Sequence, residues 1–314
     1  MIIGARLTMP GSQDFAADPR NADVRLYLNG ALTPRGEAKV SVFDAGFVLG
    51  DGVWEGLRLH KGTLLFLDAH LDRLFEGARA IALEIGMTRE EIKAALDGTL
   101  AANAMTHGAH IRLMVTRGAK KAPNQDPRNA LGQPTVVIVA EYKEPSPDIV
   151  TRGLALFTSS IRCTPASMFD MRINSHSRLA LIMALNEAIK AGADEALMLD
   201  PEGYVSSCNA TNFFFVRDGE VRTSTGACCF NGITRDNVIV LCRREGIPLR
   251  LGNFLLEEVH NADEAFVTGT FGGITPVREI DGHRLTAALP GPLTSRLREL
   301  YARLKDDEAA RVRV

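Results

Sequence analysis

Apolar positions alternate with polar ones at the start of the ordered pattern. Val24-Arg25-Leu26-Tyr27-Leu28 ends at Asn29-Gly30, a dipeptide that closes tight hairpins because both residues accept positive φ. Residues 40–43 and 53–59 read as further strands, the second turning at Lys61-Gly62 into Leu64-Leu65-Phe66. The period then becomes helical. After Asp68 as N-cap, Leu71, Leu74, Phe75, Ala78 and Ile81 recur three and four residues apart, and Gly86 ends the run. Arg73 lies on this helix, off its apolar stripe. A second helix over 88–103 opens with the capping box Thr88-Arg89-Glu90-Glu91. Strands over 110–116 and 135–141 follow, joined by a polar loop, 117–133, whose length predicts a functional role.

Glu144-Pro145-Ser146-Pro147-Asp148 reads as a stiff linker. It divides the chain into an extension or dimer-contacting arm (1–23), a smaller α+β domain (24–143), a linker (144–149) and a larger α+β domain (150–314). The second half opens with a strand over 154–159. In a helix over 178–190, Leu179, Ile182, Met183, Leu185, Ala188 and Ile189 form an apolar face and Gly192 supplies the stop. Short strands over 196–199, 204–206, 213–216 and 221–223 alternate with turns. A helix beginning at Gly232-Ile233-Thr234, a strand near 248–251, a short helix over 255–260 and strands over 264–268 and 274–277 complete the pattern. Strands and helices do not alternate regularly, so a mixed α+β chain is expected rather than a βαβ series.

At 314 residues the chain is long enough for two cores. Its 46% hydrophobic and 24% charged residues are ordinary for a globular protein, and a net charge of −2 gives no cationic surplus for nucleic acid. Small-molecule chemistry is therefore the expectation. The five cysteines are an odd number without CxxC pairs, which points to reduced thiols rather than disulfides or a metal site. The N-terminus lacks a basic region leading into a long apolar stretch, and no run approaches the roughly 20 apolar residues of a membrane helix. A cytoplasmic protein follows, with no membrane partner.

Three stretches could hold an anion. Gly232-Ile233-Thr234-Arg235 places unpaired N–H groups at a helix start, although taken alone an ordinary capped helix accounts for it better. Thr268-Gly269-Thr270 with Gly272-Gly273 is a second set of donors or a plain tight turn, and Arg73 a counter-charge or a solvated helix residue. Spacing alone does not join them.

Gly50-Asp51-Gly52-Val53-Trp54-Glu55-Gly56-Leu57-Arg58, His70-Leu71-Asp72-Arg73-Leu74, Gly192-Ala193-Asp194-Glu195-Ala196, Asn212-Phe213-Phe214, Gly232-Ile233-Thr234-Arg235 and Thr268-Gly269-Thr270 through Thr275-Pro276-Val277 follow one another in order. Together, over about residues 24–285, they resemble the class IV aminotransferases, the family of branched-chain and D-amino-acid aminotransferases and of aminodeoxychorismate lyase. The resemblance implies a two-domain α+β architecture, fold type IV of the pyridoxal-phosphate enzymes, with the cofactor between the domains of a homodimer. It implies that Arg73, the N–H groups of Ile233 and Thr234, and Thr270 hold the cofactor phosphate, with Gly232 and Gly269 shaping that cup. Arg112 and Phe271 would meet the substrate, an amino acid or keto acid, and the 117–133 loop would cover the site. A guanidinium suits a carboxylate because it offers a two-pronged fork.

Two positions depart from the family pattern. Its catalytic lysine is matched by Asn174, or by Ile173 in an alternative register, and no lysine lies between Lys143 and Lys190. The glutamate that faces the cofactor's pyridine nitrogen is matched by Ser207. The lysine forms the internal Schiff base and moves the proton, which a carboxamide cannot do, and a hydroxyl cannot keep the ring protonated. The expectation is an aminotransferase-like protein that binds pyridoxal 5'-phosphate, or a similar phosphorylated ligand, without a covalent bond and without ordinary transamination. The alternative is a non-transaminating homologue, either a cofactor-independent enzyme or a binding protein. Lys120 or Lys121 could stand in as the amine, but both read as solvated. His110, His176, Ser175 and Ser207 show no order that specifies a reaction.

Overall fold

In the computed structural model, which describes residues 11–311, the chain divides into two compact units. Residues 1–10 of the expected extension lie outside the described residues.

One unit joins Ala17–Glu144 to Ile173–Arg178 and to the stretch from Lys305. Its elements are β1 (Arg25–Leu28), β2 (Ala31–Pro34), α1 (Ala45–Leu49), β3 (Gly52–His60), β4 (Thr63–Leu64), α2 (Leu67–Ala80), α3 (Arg89–Ala102), β5 (Ala109–Thr116) and β6 (Thr135–Tyr142). The strands form an antiparallel sheet in the order β2-β1-β6-β5-β3-β4. Alternation along β3 and β5 sends Val53, Leu57, Leu59, Ile111, Leu113 and Val115 into a core shared with Leu71 and Leu74 of α2 and Ile92 and Leu96 of α3. Burying each of these leucines and isoleucines contributes roughly 2 kcal/mol. The intervening residues, Trp54, Arg58, Arg112 and Met114 among them, stay partly exposed on the opposite face.

Residues 40–43 are not a strand. Val40, Val42 and Phe43 are exposed, so their alternation has no face to bury. Asp44 instead caps α1, accepting from the Gly46 N–H at 2.8 Å, and Gly50 ends it at φ 68°. Asp68 is not the cap of α2 either: Phe66, at φ 53°, precedes it, and Asp68 sits in the first turn, where a carboxylate complements the helix dipole. The 117–133 loop is tied down by pairing of Lys120 with Ala130. Lys120 corrects the sequence reading: it is buried, its ammonium donating to the Asp126 carbonyl at 2.9 Å, whereas Lys121 is exposed.

The other unit comprises the described residues of Met1–Ala16, with Pro145–Arg172 and Leu179–Leu304. It contains α4 (Asp148–Arg152), β7 (Leu154–Thr158), α5 (Leu179–Ala191), β8 (Glu195–Leu199), β9 (Val205–Cys208), β10 (Asn212–Arg217), β11 (Glu220–Ser224), α6 (Ile233–Arg244), β12 (Leu249–Gly252), α7 (Leu256–His260), β13 (Glu264–Gly269), β14 (Gly273–Ile280) and β15 (His283–Arg284). The last helix, α8 (Pro292–Arg311), begins here and was not foreseen in the pattern. The sheet runs β12-β11-β10-β13-β14-β7-β8-β9, with β15 on β14. Phe213, Phe214 and Phe215 of β10 are buried in succession, as a strand covered on both faces requires. Phe214 stacks on Phe266 at 5.0 Å and Phe215 meets Phe254 edge-on at 5.1 Å. On α5 the expected apolar face is divided. Ala184 and Ala188 pack against Ala196 and Met198 of β8, while Leu179, Ile182 and Met183 remain exposed.

Candidate functional site

Glu55 is the acid of the first cluster. It occupies a core-facing position of β3 and is 0% exposed. Its Oε1 accepts from Arg73 Nε at 2.8 Å, and its Oε2 accepts from Arg73 Nη2 at 2.6 Å and from His70 Nδ1 at 2.7 Å. His70 and Arg73 stand three residues apart on α2 and so share a face. Burial pushes the Glu55 carboxyl up, but Arg73 and His70 outweigh it and leave its pKa below the usual value. Burial holds His70 below its usual value as well. Arg73, expected from the sequence as a phosphate ligand, is thus fixed by a carboxylate through two parallel bonds.

The other face of this sheet carries the second cluster. Arg112 stands opposite Gly56 in the β3–β5 register and leans over Trp54, 3.6 Å from the ring centroid. Residues 174–176 add to the edge of β3. The Trp54 N–H donates to the Asn174 carbonyl at 2.9 Å, the His176 N–H to the Gly52 carbonyl at 2.9 Å, and the indole N–H to the Ser175 carbonyl at 3.0 Å. This antiparallel pairing sets Ser175 against Val53 and places Asn174 on the Trp54 face. Asn174 is buried, and its side-chain oxygen accepts from the Arg178 guanidinium. Arg178 also donates from Nε to the Ser175 carbonyl at 3.0 Å and lies 5.7 Å from the Trp54 ring.

The charges here are mostly positive. Burial, with Arg73 and Arg112 nearby, pushes Arg178 down to about 10, so it remains a cation at neutral pH. Burial and the charges of Lys143, Arg112 and Arg58 push His110 from 6.5 down to about 3. A folded-state value below the unfolded one means that the stabilisation is complete above about pH 6.5 and is lost as pH falls toward 3. Unfolding measured at pH 8 and pH 5 should therefore differ, at up to about 1.4 kcal/mol per pH unit below 6.5. The difference should shrink in His110→Gln.

In the other unit, α6 starts at Gly232 with no side-chain cap. Its first N–H groups, Ile233 and Thr234 among them, have no partner one turn back within the helix. The Gly232 N–H donates to Asn212 Oδ1 at 3.1 Å, and a Cβ at 232 would collide with that oxygen, which explains the glycine. Asn212 stands opposite Thr268 in the β10–β13 register. One asparagine therefore joins the 232–234 and 268–270 stretches that spacing left separate. The Thr268 hydroxyl is buried and makes no hydrogen bond among the described residues. Thr234 is buried with its hydroxyl 3.4 Å from that of Tyr301, Gly269 and Thr270 are half-buried beyond Thr268, and Phe271 is buried. Ser207 is also buried. Its hydroxyl donates to the Thr211 carbonyl at 2.9 Å and accepts from Asn212 Nδ2 at 3.2 Å.

The sequence reading assigned no role to Glu55, His70, Trp54, Asn212 or Arg178. For Glu55 a signal existed: it is a carboxylate between Val53 and Leu57 at the apolar phase of a strand.

The family description Amino-transferase class IV matches residues 52–280. The chain is 40% identical over 288 residues to branched-chain-amino-acid aminotransferase-like protein 2 of Arabidopsis thaliana, covering 92% of this chain and 51% of that protein. It thus spans about half the length of that relative. It is 37% identical to the putative branched-chain-amino-acid aminotransferase of Methanocaldococcus jannaschii, covering 88% of this chain and 95% of that one. Among solved structures, the branched-chain aminotransferase of the thermophilic archaeon Thermoproteus uzoniensis with norvaline aligns with a TM-score of 0.81 at 32% identity, covering 91% of this chain and 96% of that one.

Proposed function

The chain belongs to the class IV aminotransferases, with their α+β fold type IV architecture, and from that premise we propose that it binds pyridoxal 5'-phosphate or a similar phosphorylated ligand without a covalent bond and does not carry out ordinary transamination. The observation that carries this reading is Asn174, buried and bonded to Arg178 where the family pattern has its lysine.

The phosphate half of the ligand fits the residues present. The uncapped start of α6, the glycine at 232 and the buried, unbonded Thr268 hydroxyl offer donors that phosphate oxygens would satisfy. In this proposal Ile233, Thr234 and Thr270 bind the phosphate, Gly232 and Gly269 leave room for it, and Arg73 serves as a phosphate cation. Arg112 and Phe271 meet an amino acid or keto acid. The reacting half does not fit. Bound pyridoxal phosphate supplies an aldehyde and an electron-withdrawing ring, but the amide of Asn174 is no nucleophile, and the Ser207 hydroxyl is already donated to Thr211. No proton transfer is assigned to either residue.

Exposed Leu179, Ile182 and Met183 in one unit, and Val42, Phe43 and Phe47 in the other, support a homodimer, since apolar side chains grouped at a surface mark contact sites. No helix of the described residues is long and apolar enough to cross a membrane. Together with five free thiols this supports a cytoplasmic setting.

The test is to titrate the chain with pyridoxal phosphate, record the absorbance, reduce with borohydride and map the peptides. A free-aldehyde spectrum with saturable binding and no fixed adduct is expected. An adduct at Lys120, Lys121 or another single lysine would overturn the non-covalent reading. Binding of phosphate esters without any bound chromophore would favour the binding-protein alternative.

A further inference from the structure

In the unit that holds Trp54, the guanidinium groups of Arg73 and Arg112 both act on that of Arg178. The opposing charge acting on Arg112 and Arg178 is that of Glu55. Both oxygens of Glu55 are taken by Arg73 and His70. Among the charges that act on Arg178, two guanidinium groups stand against one carboxylate, an excess of positive charge. Nearby histidines do not add to it, because burial, Arg112 and Arg178 disfavour a proton on His176, and His110 is held neutral in the same way.

The surplus is organised in space. Arg112 and Arg178 lie 3.6 Å and 5.7 Å from the centroid of one indole, so their guanidinium carbons are at most about 9 Å apart. That span suits two forks closing on one oxyanion group or on the two ends of a short diacid. Asn174 sets the position of the second fork, since its oxygen and the Ser175 carbonyl both accept from Arg178. The Arg112 guanidinium makes no hydrogen bond or ion pair among the described residues, so its donors face no competing carboxylate.

We propose that Arg112 and Arg178 together bind a ligand carrying two negative charges beside Trp54, and that Asn174 is the positioning residue that aims Arg178. Asn174 thus has a use of its own in this chain: where the family pattern has an amine that bonds covalently, this site holds its ligand by charge and hydrogen bonds. The inference takes the role proposed above for Arg112 and adds Arg178, the second charge and the aiming of the fork.

Trp54 is the chain's single tryptophan and sits against both cations, so its emission reports on this site alone. The full chain is titrated with succinate, with inorganic phosphate and, as a monoanion control, with butyrate. A saturable change in Trp54 emission is expected with at least one dianion, at least tenfold tighter than with butyrate; the pair of dianions tells a diacid from a single oxyanion group. Arg112→Gln and Arg178→Gln should each lose that preference. Asn174→Leu, which removes the acceptor at similar volume, should reduce it several-fold while leaving Arg112 in place. If Arg178→Gln fails to fold, Arg178→Lys keeps the charge without the fork and should retain part of the preference. No saturable change with either dianion, or an unchanged preference in a folded Arg178 variant, would overturn the proposal. Pyridoxal phosphate binding, followed by its own absorbance on the same sample, reports separately on the phosphate cup, so failure of one reading is distinguishable from failure of the other.

Discussion

Replacing Glu55 by alanine is expected to destabilise the unit that contains it by about 3–5 kcal/mol, the cost of removing one partner from a buried ion pair. The carboxylate is 0% exposed and receives both prongs of Arg73 and the imidazole N–H of His70. Without it, Arg73 stays inside the fold without the carboxylate that holds it, close enough to Arg178 to act on its charge. Glu55→Gln, which keeps the shape and one acceptor but not the charge, should lose less, about 2 kcal/mol. Because the folded-state pKa of Glu55 lies below its ordinary value of 4.5, its contribution is present above that value and fades as pH falls through the lower one. The glutamine variant should therefore show a flatter acid limb. Chemical denaturation followed through Trp54 emission measures both effects in the unit that carries the residue. Loss of less than about 1 kcal/mol in the alanine variant would mean that solvent reaches Arg73.

Much of the scaffold could be read from the chain because it rests on local rules. The alternation through 53–59 and 110–116, the capping box at Thr88 and the stop at Gly192 correspond to β3, β5, α3 and the end of α5. What escaped was decided by partners distant in sequence. Residues 40–43 alternate but have nothing to cover them, so a cap at Asp44 and a short helix prevail over the strand. Lys120 is polar and flanked by polar residues, yet the folded loop closes on it and supplies the Asp126 carbonyl. On α5 periodicity marked an apolar face but could not say which residues would meet β8: the small Ala184 and Ala188 do, because close packing of a helix on a sheet favours them. The same holds for the site. Gly232 and Thr268 were each visible as candidates, but the cross-strand pair that joins them through Asn212 exists only once β10 and β13 are in register. The bond of Arg178 to Asn174, four residues earlier, could not be read from the chain, because it depends on the edge pairing with β3.

Asn174→Lys is expected to convert a protein that borohydride leaves unlabelled in the presence of pyridoxal phosphate into one labelled at a single residue. The new side chain would start from a position 3% exposed, beside the Arg178 guanidinium and under the influence of Arg73 and Arg112. Burial and like charge both lower an ammonium pKa, so a sizeable share of the amine would be neutral, and hence nucleophilic, near pH 7. The substitution also takes from Arg178 the oxygen it donates to, a loss of about 1–3 kcal/mol that should register in the denaturation curve. The comparison variant is Ile173→Lys, the other register of the family pattern. Edge pairing of Ser175 with Val53 turns residue 173 toward the core, where Ile173 packs against the apolar cluster around α2. A lysine there should destabilise the unit by about 3 kcal/mol or more and remain unlabelled. At least tenfold more label in Asn174→Lys than in the natural chain, with none in Ile173→Lys, is the expected pattern. Label in Ile173→Lys alone would reverse the assignment of the two faces. Transamination should stay absent even in the labelled variant if Ser207 takes the place proposed for it, since it presents a hydroxyl already bonded to Thr211 and no carboxylate. Adding Ser207→Glu to Asn174→Lys is the change expected to bring measurable turnover.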